Sequence, residues 1–84
     1  MAVLIERTNP RPGRPEEPVP DARGRYQLAN PKFGKDRHKV EHAIFVDSLD
    51  KAADLILKKG FLIRMGAEGK RASLISPKSL RITA

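Results

Sequence analysis

The chain contains no cysteine and no tryptophan, and among its 84 residues only one tyrosine and three phenylalanines supply aromatic rings. Without thiols, a disulfide framework and a cysteine-built zinc ribbon are both excluded. With so few rings, a sheet surface that stacks base after base is poorly supported. No apolar run approaches the roughly 20 residues a membrane-spanning helix needs, and Met1-Ala2-Val3-Leu4-Ile5 is far shorter than a signal-peptide core. A cytoplasmic protein with no membrane partner is expected. Paired carboxylates framing a cleft, a nucleophile beside a base and a phosphate-binding loop are all missing, so neither an enzyme nor a cofactor is expected.

What is present is positive charge. Seventeen Lys and Arg against ten Asp and Glu give a net charge of +7, which favours an anionic partner, although a soluble protein with an ordinary basic surface looks the same.

The clearest element is one amphipathic helix starting after Asp47 or Ser48, either of which can accept the first free backbone N–H groups. At 100° per residue, Leu49, Ala52, Ala53, Ile56 and Leu57 fall on one arc with Leu55 at its rim, while Asp50, Lys51, Asp54 and Lys58 fall opposite. Asp50 suits the positive end of the helix dipole and Lys58 and Lys59 the negative end, with Asp54 and Lys58 in the favourable order for an ion pair. Gly60 supplies the left-handed stop. A helix this short does not persist alone, so the flanks must pack on it.

Those flanks read as strands. Val40–Val46 is rich in β-branched and aromatic residues and ends at the helix cap; Phe61–Met65 follows Gly60. Gly66-Ala67-Glu68-Gly69 supplies a turn, and Lys70–Ile75 reads as the next strand. Beyond Ser76-Pro77-Lys78, Ser79–Ile82 can add a last one. The expected fold is α+β: a small β-α-β-β(-β) domain over residues 40–84, with one helix packed on a three- or four-stranded sheet and its first two strands parallel across the crossover.

Residues 1–39 read differently. Six of the seven prolines lie between Asn9 and Pro31, interspersed with Arg, Glu and Gly, which predicts an extended, largely disordered tail with residues 1–5 as a possible added strand. A 40–84 core on its own is near the size at which small domains need help, which predicts a homodimer, with Val3-Leu4-Ile5 as an alternative cover for the second sheet face.

If the turn closes symmetrically, Arg64 faces Arg71 across the hairpin, Phe61, Ile63, Met65, Ala72 and Leu74 meet the helix, and Leu62, Arg64, Arg71, Ser73 and Ile75 share the outer face. Two like charges so opposed cost roughly 0.2–1 kcal/mol unless compensated, and an anion lying across both is one compensation; Glu68 or Glu41 is another.

Three motifs carry potential chemistry. His38-Lys39-Val40-Glu41-His42 matches H-x-x-E-H, in which two histidines one helical turn apart bind zinc, but the match requires a long helix where strand is predicted. Arg11-Pro12-Gly13-Arg14-Pro15 resembles the core of AT-hook peptides, which lie in the minor groove of A·T-rich DNA; it departs from them at Pro12, and Glu16 and Glu17 follow. Pro12-x-x-Pro15 and Pro15-x-x-Pro18 fit aromatic grooves that take polyproline segments.

The leading expectation is a non-catalytic basic domain that binds DNA or RNA through the hairpin. Arg64, Lys70, Arg71, Lys78 and Arg81 lie in or beside it, and Lys58 and Lys59 end the helix near its first strand. The alternative is a protein-interaction or regulatory module presenting Leu62, Ile75 and Phe45 to a protein partner. No metal site is expected.

Overall fold

A computed structural model describes residues 2–9, 11–13, 15–66 and 72–84. Among them the one α-helix, α1, spans Leu49–Lys59. Ser48 is its cap, with Oγ accepting the Lys51 N–H at 3.2 Å, while Asp47 pairs instead with the Lys51 ammonium at 2.8 Å. Gly60 ends it at φ 69°, ψ 25°, a conformation that a Cβ disfavours. Lys58 reaches Asp54 at 3.9 Å, the pairing expected from their order.

Among the described residues six strands accompany the helix: β1 (Leu4–Arg7), β2 (Tyr26–Ala29), β3 (Ala43–Val46), β4 (Leu62–Met65), β5 (Ser73–Ile75) and β6 (Leu80–Thr83). They form a four-stranded sheet in the order β3-β2-β4-β5 and a two-stranded ribbon of β1 with β6, antiparallel throughout. The α+β class is the one expected; the organisation differs in four respects.

First, the segment expected to be a tail supplies two strands: β1, which overlaps the possible added strand at residues 1–5, and β2, which was not expected. β2 is an inner strand of the main sheet, pairing with β3 on one side and β4 on the other. The strands flanking α1 are parallel to each other, as the crossover predicts, but β2 separates them. Second, the residues that fold together therefore extend well before residue 40, so the size argument for a homodimer loses its premise. Third, the last strand leaves the hairpin. β6 pairs with β1, placing Ile5 opposite Ile82 and Glu6 opposite Arg81. Fourth, the first strand is shorter than predicted, because Val40–His42 forms a 3-10 turn, preceded by a longer 3-10 segment, Pro31–His38, that kinks at Gly34 (φ 56°).

The register of β4 with β5 also differs from the symmetric one. Ile63 lies opposite Ile75 and Arg64 opposite Leu74, a slip of three residues. An odd slip exchanges the faces of a strand. Ile75, expected outside, is thus 7% exposed in the core, and Leu74 takes the outer face. Arg64 thus faces Leu74, and Arg71, its expected partner, lies outside the described residues.

The core follows from these pairings. Leu28, Ile63 and Ile75 align across three strands beneath Ala52, Ala53 and Ile56 of α1, and Ile5 of β1, Phe61 and Met65 complete the cluster. The helix packs on both the sheet and the ribbon strand β1. Its buried arc is accordingly centred closer to Leu55 than a single sheet requires, and Leu57, expected on that arc, is 71% exposed. Among the described residues no helix is long and apolar enough to cross a membrane.

Candidate nucleic-acid interface

Alternation along the strands sends Leu28, Ile63 and Ile75 toward the helix and their neighbours Gln27, Arg64 and Leu74 to the opposite face. Register then aligns four side chains across the whole outer face: Phe45 on β3, Gln27 on β2, Arg64 on β4 and Leu74 on β5. The Arg64 Nη1 donates to the Gln27 Oε1 at 3.5 Å, linking the two inner strands. Arg64 is half-buried and its charge has no carboxylate within ion-pairing distance among the described residues.

A short loop completes one end of this row. Asp21 Oδ1 accepts the N–H groups of Arg23 at 2.9 Å and Arg25 at 2.8 Å, and Oδ2 accepts the Arg25 Nε at 3.2 Å. Gly24 makes the turn possible at φ 76°. The Arg25 guanidinium is thereby held over Phe45, 4.4 Å from the ring centroid. The backbone N–H of Arg25, joined by that of Arg23 and by the Arg25 charge, holds the Asp21 carboxyl below its ordinary range against a smaller opposing effect of burial.

At the other end the 3-10 segments stand above the sheet. Phe33 and His42 stack at 4.0 Å between centroids and 11° between planes. Lys35, Arg37 and His38 line the hollow next to Leu74 and Ala72. Arg37 is oriented by its own loop, donating from Nη1 to the Gly34 carbonyl at 2.8 Å.

Between these two walls runs a groove. A cavity of about 540 Å³ lies among Val19, Asp21, Arg25, Phe45, Gln27 and Arg64. A second of about 330 Å³ shares Gln27, Val40 and Arg64 with it and continues to His38 and Leu74. Both are of the size of ordinary ligand sites. Their floor sets Gln27 and the cationic Arg64 between the apolar Phe45 and Leu74, and the acidic side chain on their rim, Asp21, is committed to Arg25.

The predicted residues divide. Arg64 and Phe45 are in the groove, the latter 36% exposed. Arg81 lies on the outward face of the ribbon, bonded to Glu6 at 3.0 Å; Lys58 and Lys59 close α1, and Lys78 lies in the 3-10 turn Pro77–Ser79. None of these last four lines the groove. Lys70 and Arg71 fall outside the described residues, in the segment that joins Gly66 to Ala72, both of which line the groove. Leu62, at 8% exposure, and Ile75, at 7%, are buried and offer nothing to a protein partner: Leu62 lies beside Ala29 on the sheet, and the register turns Ile75 into the core. Arg25, Gln27, Lys35, Arg37 and His38 are groove residues that reading the sequence missed. The one signal for two of them was the alternation Tyr26-Gln27-Leu28-Ala29, which puts Arg25 and Gln27 on a common face.

The histidine motif does not assemble. Lys39, at φ −68°, ψ 136°, is extended and separates the two 3-10 segments, so His38 and His42 are not one helical turn apart. Among the described residues no three His, Cys, Asp or Glu side chains gather to hold a metal ion. Arg14 of the Arg11–Pro15 motif lies outside the described residues.

Comparison with protein-family models, with curated proteins and with solved structures gives no match. The functional argument therefore rests on the groove.

Proposed function

We propose that this is a non-catalytic module that binds nucleic acid backbone-first along the outer face of its four-stranded sheet. The observation that carries the reading is the groove with Arg64 in its floor, flanked by Lys35 and Arg37 on one wall and by the Asp21-anchored Arg25 on the other. Lys70 and Arg71, which lie outside the described residues, stay in the proposed contact set for their charge alone. Lys58, Lys59, Lys78 and Arg81 contribute to the long-range field of the +7 chain and steer encounter.

Fluorescence anisotropy with labelled mixed-sequence oligonucleotides tests it. Three phosphate contacts by Lys35, Arg37 and Arg64 give a fall in affinity of about 20-fold for a single strand, or about 40-fold for a duplex, between 50 and 200 mM salt, and Arg64→Ala removes one of those contacts and flattens the slope. Absence of any binding at low salt would overturn the reading.

A second reading, as a protein-interaction module, draws on β3. It is an edge strand of four residues, and it exposes 36% of both Ile44 and Phe45. An exposed edge invites strand addition by a protein segment or by a second copy of the chain. Light scattering that shows a dimer dissociated by Ile44→Lys supports that reading; a monomer at all concentrations removes the second copy from it.

A further inference from the structure

We infer that the groove takes a single-stranded polynucleotide, with one base on the Arg25–Phe45 pair and a phosphate on Arg64. The inference rests on the nucleic-acid reading above and narrows it to one kind of ligand.

The argument starts from depth. Arg64 is half-buried between the Val19–Ala22 loop and the 3-10 turn at Val40, and its guanidinium is drawn down to Gln27. A duplex presents its phosphates on a broad, rigid cylinder with the bases turned inward, and walls of this kind hold such a cylinder off the floor. A single strand is narrow and flexible, so its backbone can enter and its unstacked bases can turn to either wall.

Those walls offer what unstacked bases need. Phe45 is 36% exposed, and the guanidinium carbon of Arg25 already lies over its ring, 4.4 Å from the centroid. Three hydrogen bonds and an ion pair to Asp21 fix that guanidinium and its loop before any ligand arrives. Aromatic faces and arginine planes are the two platforms on which splayed bases stack. Gln27, beside Phe45 in the row, carries an amide able to meet a base edge. From Phe45 across Gln27 to Arg64 is two strand spacings, about 10 Å, and the cavity of about 540 Å³ fills that interval.

The arrangement also limits the interaction. Among the described residues the groove is lined by one arginine–ring pair, so sequence preference is weak and one base position contributes more than its neighbours. Phosphate contacts from Lys35, Arg37 and Arg64 are indifferent to sequence. Ribose and deoxyribose strands share this chemistry, and the experiment separates them.

The test is a set of anisotropy titrations of the full chain against short labelled RNA and DNA strands of mixed sequence, the same DNA strand made abasic, and the corresponding duplex. Phe45→Leu keeps an apolar side chain but loses the ring face, and Arg64→Ala loses the cation; circular dichroism confirms that each variant is folded. The expected result is at least tenfold tighter binding of the single strand than of the duplex or the abasic strand. Phe45→Leu should then lose about tenfold on strands with bases and nothing on the abasic strand, whereas Arg64→Ala weakens both. Tighter binding of RNA than DNA, or the reverse, identifies the sugar within the supported proposal. Duplex or abasic strand bound as tightly as the normal single strand would overturn the inference while leaving the nucleic-acid reading standing. No binding of any strand at low salt would overturn both.

Discussion

Two neighbouring rows of the main sheet, one facing each way, are one residue apart in sequence and differ in chemistry. Inward, Leu28, Ile63 and Ile75 are closed over by α1 and the ribbon. Outward, the adjacent row of Phe45, Gln27, Arg64 and Leu74 is walled by loops and left open as a groove. Both rows are set by the same backbone pairing. The difference teaches that stability and binding can be separated here by a period of two: a change at residue 63 is a folding change, and a change at residue 64 is a surface change.

The sharpest way to break that separation is to empty the inner row. Ile63→Ala or Leu28→Ala removes a fully buried side chain whose neighbours come from two sheets and a helix, and should cost about 2–5 kcal/mol. Urea unfolding followed by circular dichroism measures it, and a loss below about 1 kcal/mol would show that the core is not organised around this row. By contrast, Arg64→Ala should leave the unfolding midpoint nearly unchanged while flattening the salt dependence of nucleic-acid binding by about one phosphate contact. A large loss of stability in that variant would make Arg64 a structural bridge to Gln27 instead.

The ribbon contains an exception to the inner-face rule. Alternation puts Arg7 on the side of Val3 and Ile5, and its Nε is buried without a hydrogen-bond partner. A buried donor left unsatisfied costs about 1–3 kcal/mol. Arg7→Leu should therefore raise stability, by about 1 kcal/mol, in the same urea experiment. A destabilised variant would show that the guanidinium is better accommodated than its geometry indicates.

How much of this was legible in the sequence depends on signal length. The helix was readable from end to end because its eleven residues carry the stripe and charge order, and Ser48 and Gly60 on either side supply cap and stop, all agreeing. Leu57 was the error, because the stripe is centred by what packs on it and the ribbon is not visible locally. β2 was lost because four residues of alternation sit directly after a proline-rich, charged stretch whose composition argues for a tail. Its importance comes from two long-range pairings, and nothing in Tyr26–Ala29 announces them. The hairpin register failed for a related reason: a symmetric turn is a local assumption, and the actual pairing brings Ile63 and Ile75 together in the core. Arg64 was singled out by its charge for nucleic acid and Phe45 as an apolar residue for a protein partner, and the structure places both in the groove. Arg25 and Gln27 required β2, and Lys35, Arg37 and His38 required the 3-10 segments to fold back along the sheet.

The smallest expected effect lies at the groove's rim, where Asp21 organises Arg25 without belonging to the core. Its carboxyl is held below the ordinary value of 3.8, first by the Arg25 N–H and further by the Arg23 N–H and the Arg25 charge. A depressed folded-state value means that its contribution is fully present above the unfolded value, near 3.9, and is lost as pH falls through the lower folded value. At neutral pH the loop is therefore intact, and only below pH 3.8 should Arg25 be released from Phe45. Asp21→Asn mimics that release at neutral pH: the amide oxygen can still accept backbone N–H groups, but the charge and the second oxygen for Arg25 are gone. Global unfolding should be unchanged, since the pair is on the surface. Binding of a single strand should weaken two- to threefold with an unaltered salt slope, because the guanidinium is a stacking platform and makes no phosphate contact. A changed slope would mean that Arg25, once free, reaches the phosphates, and that the division between a stacking wall and a cationic floor does not hold.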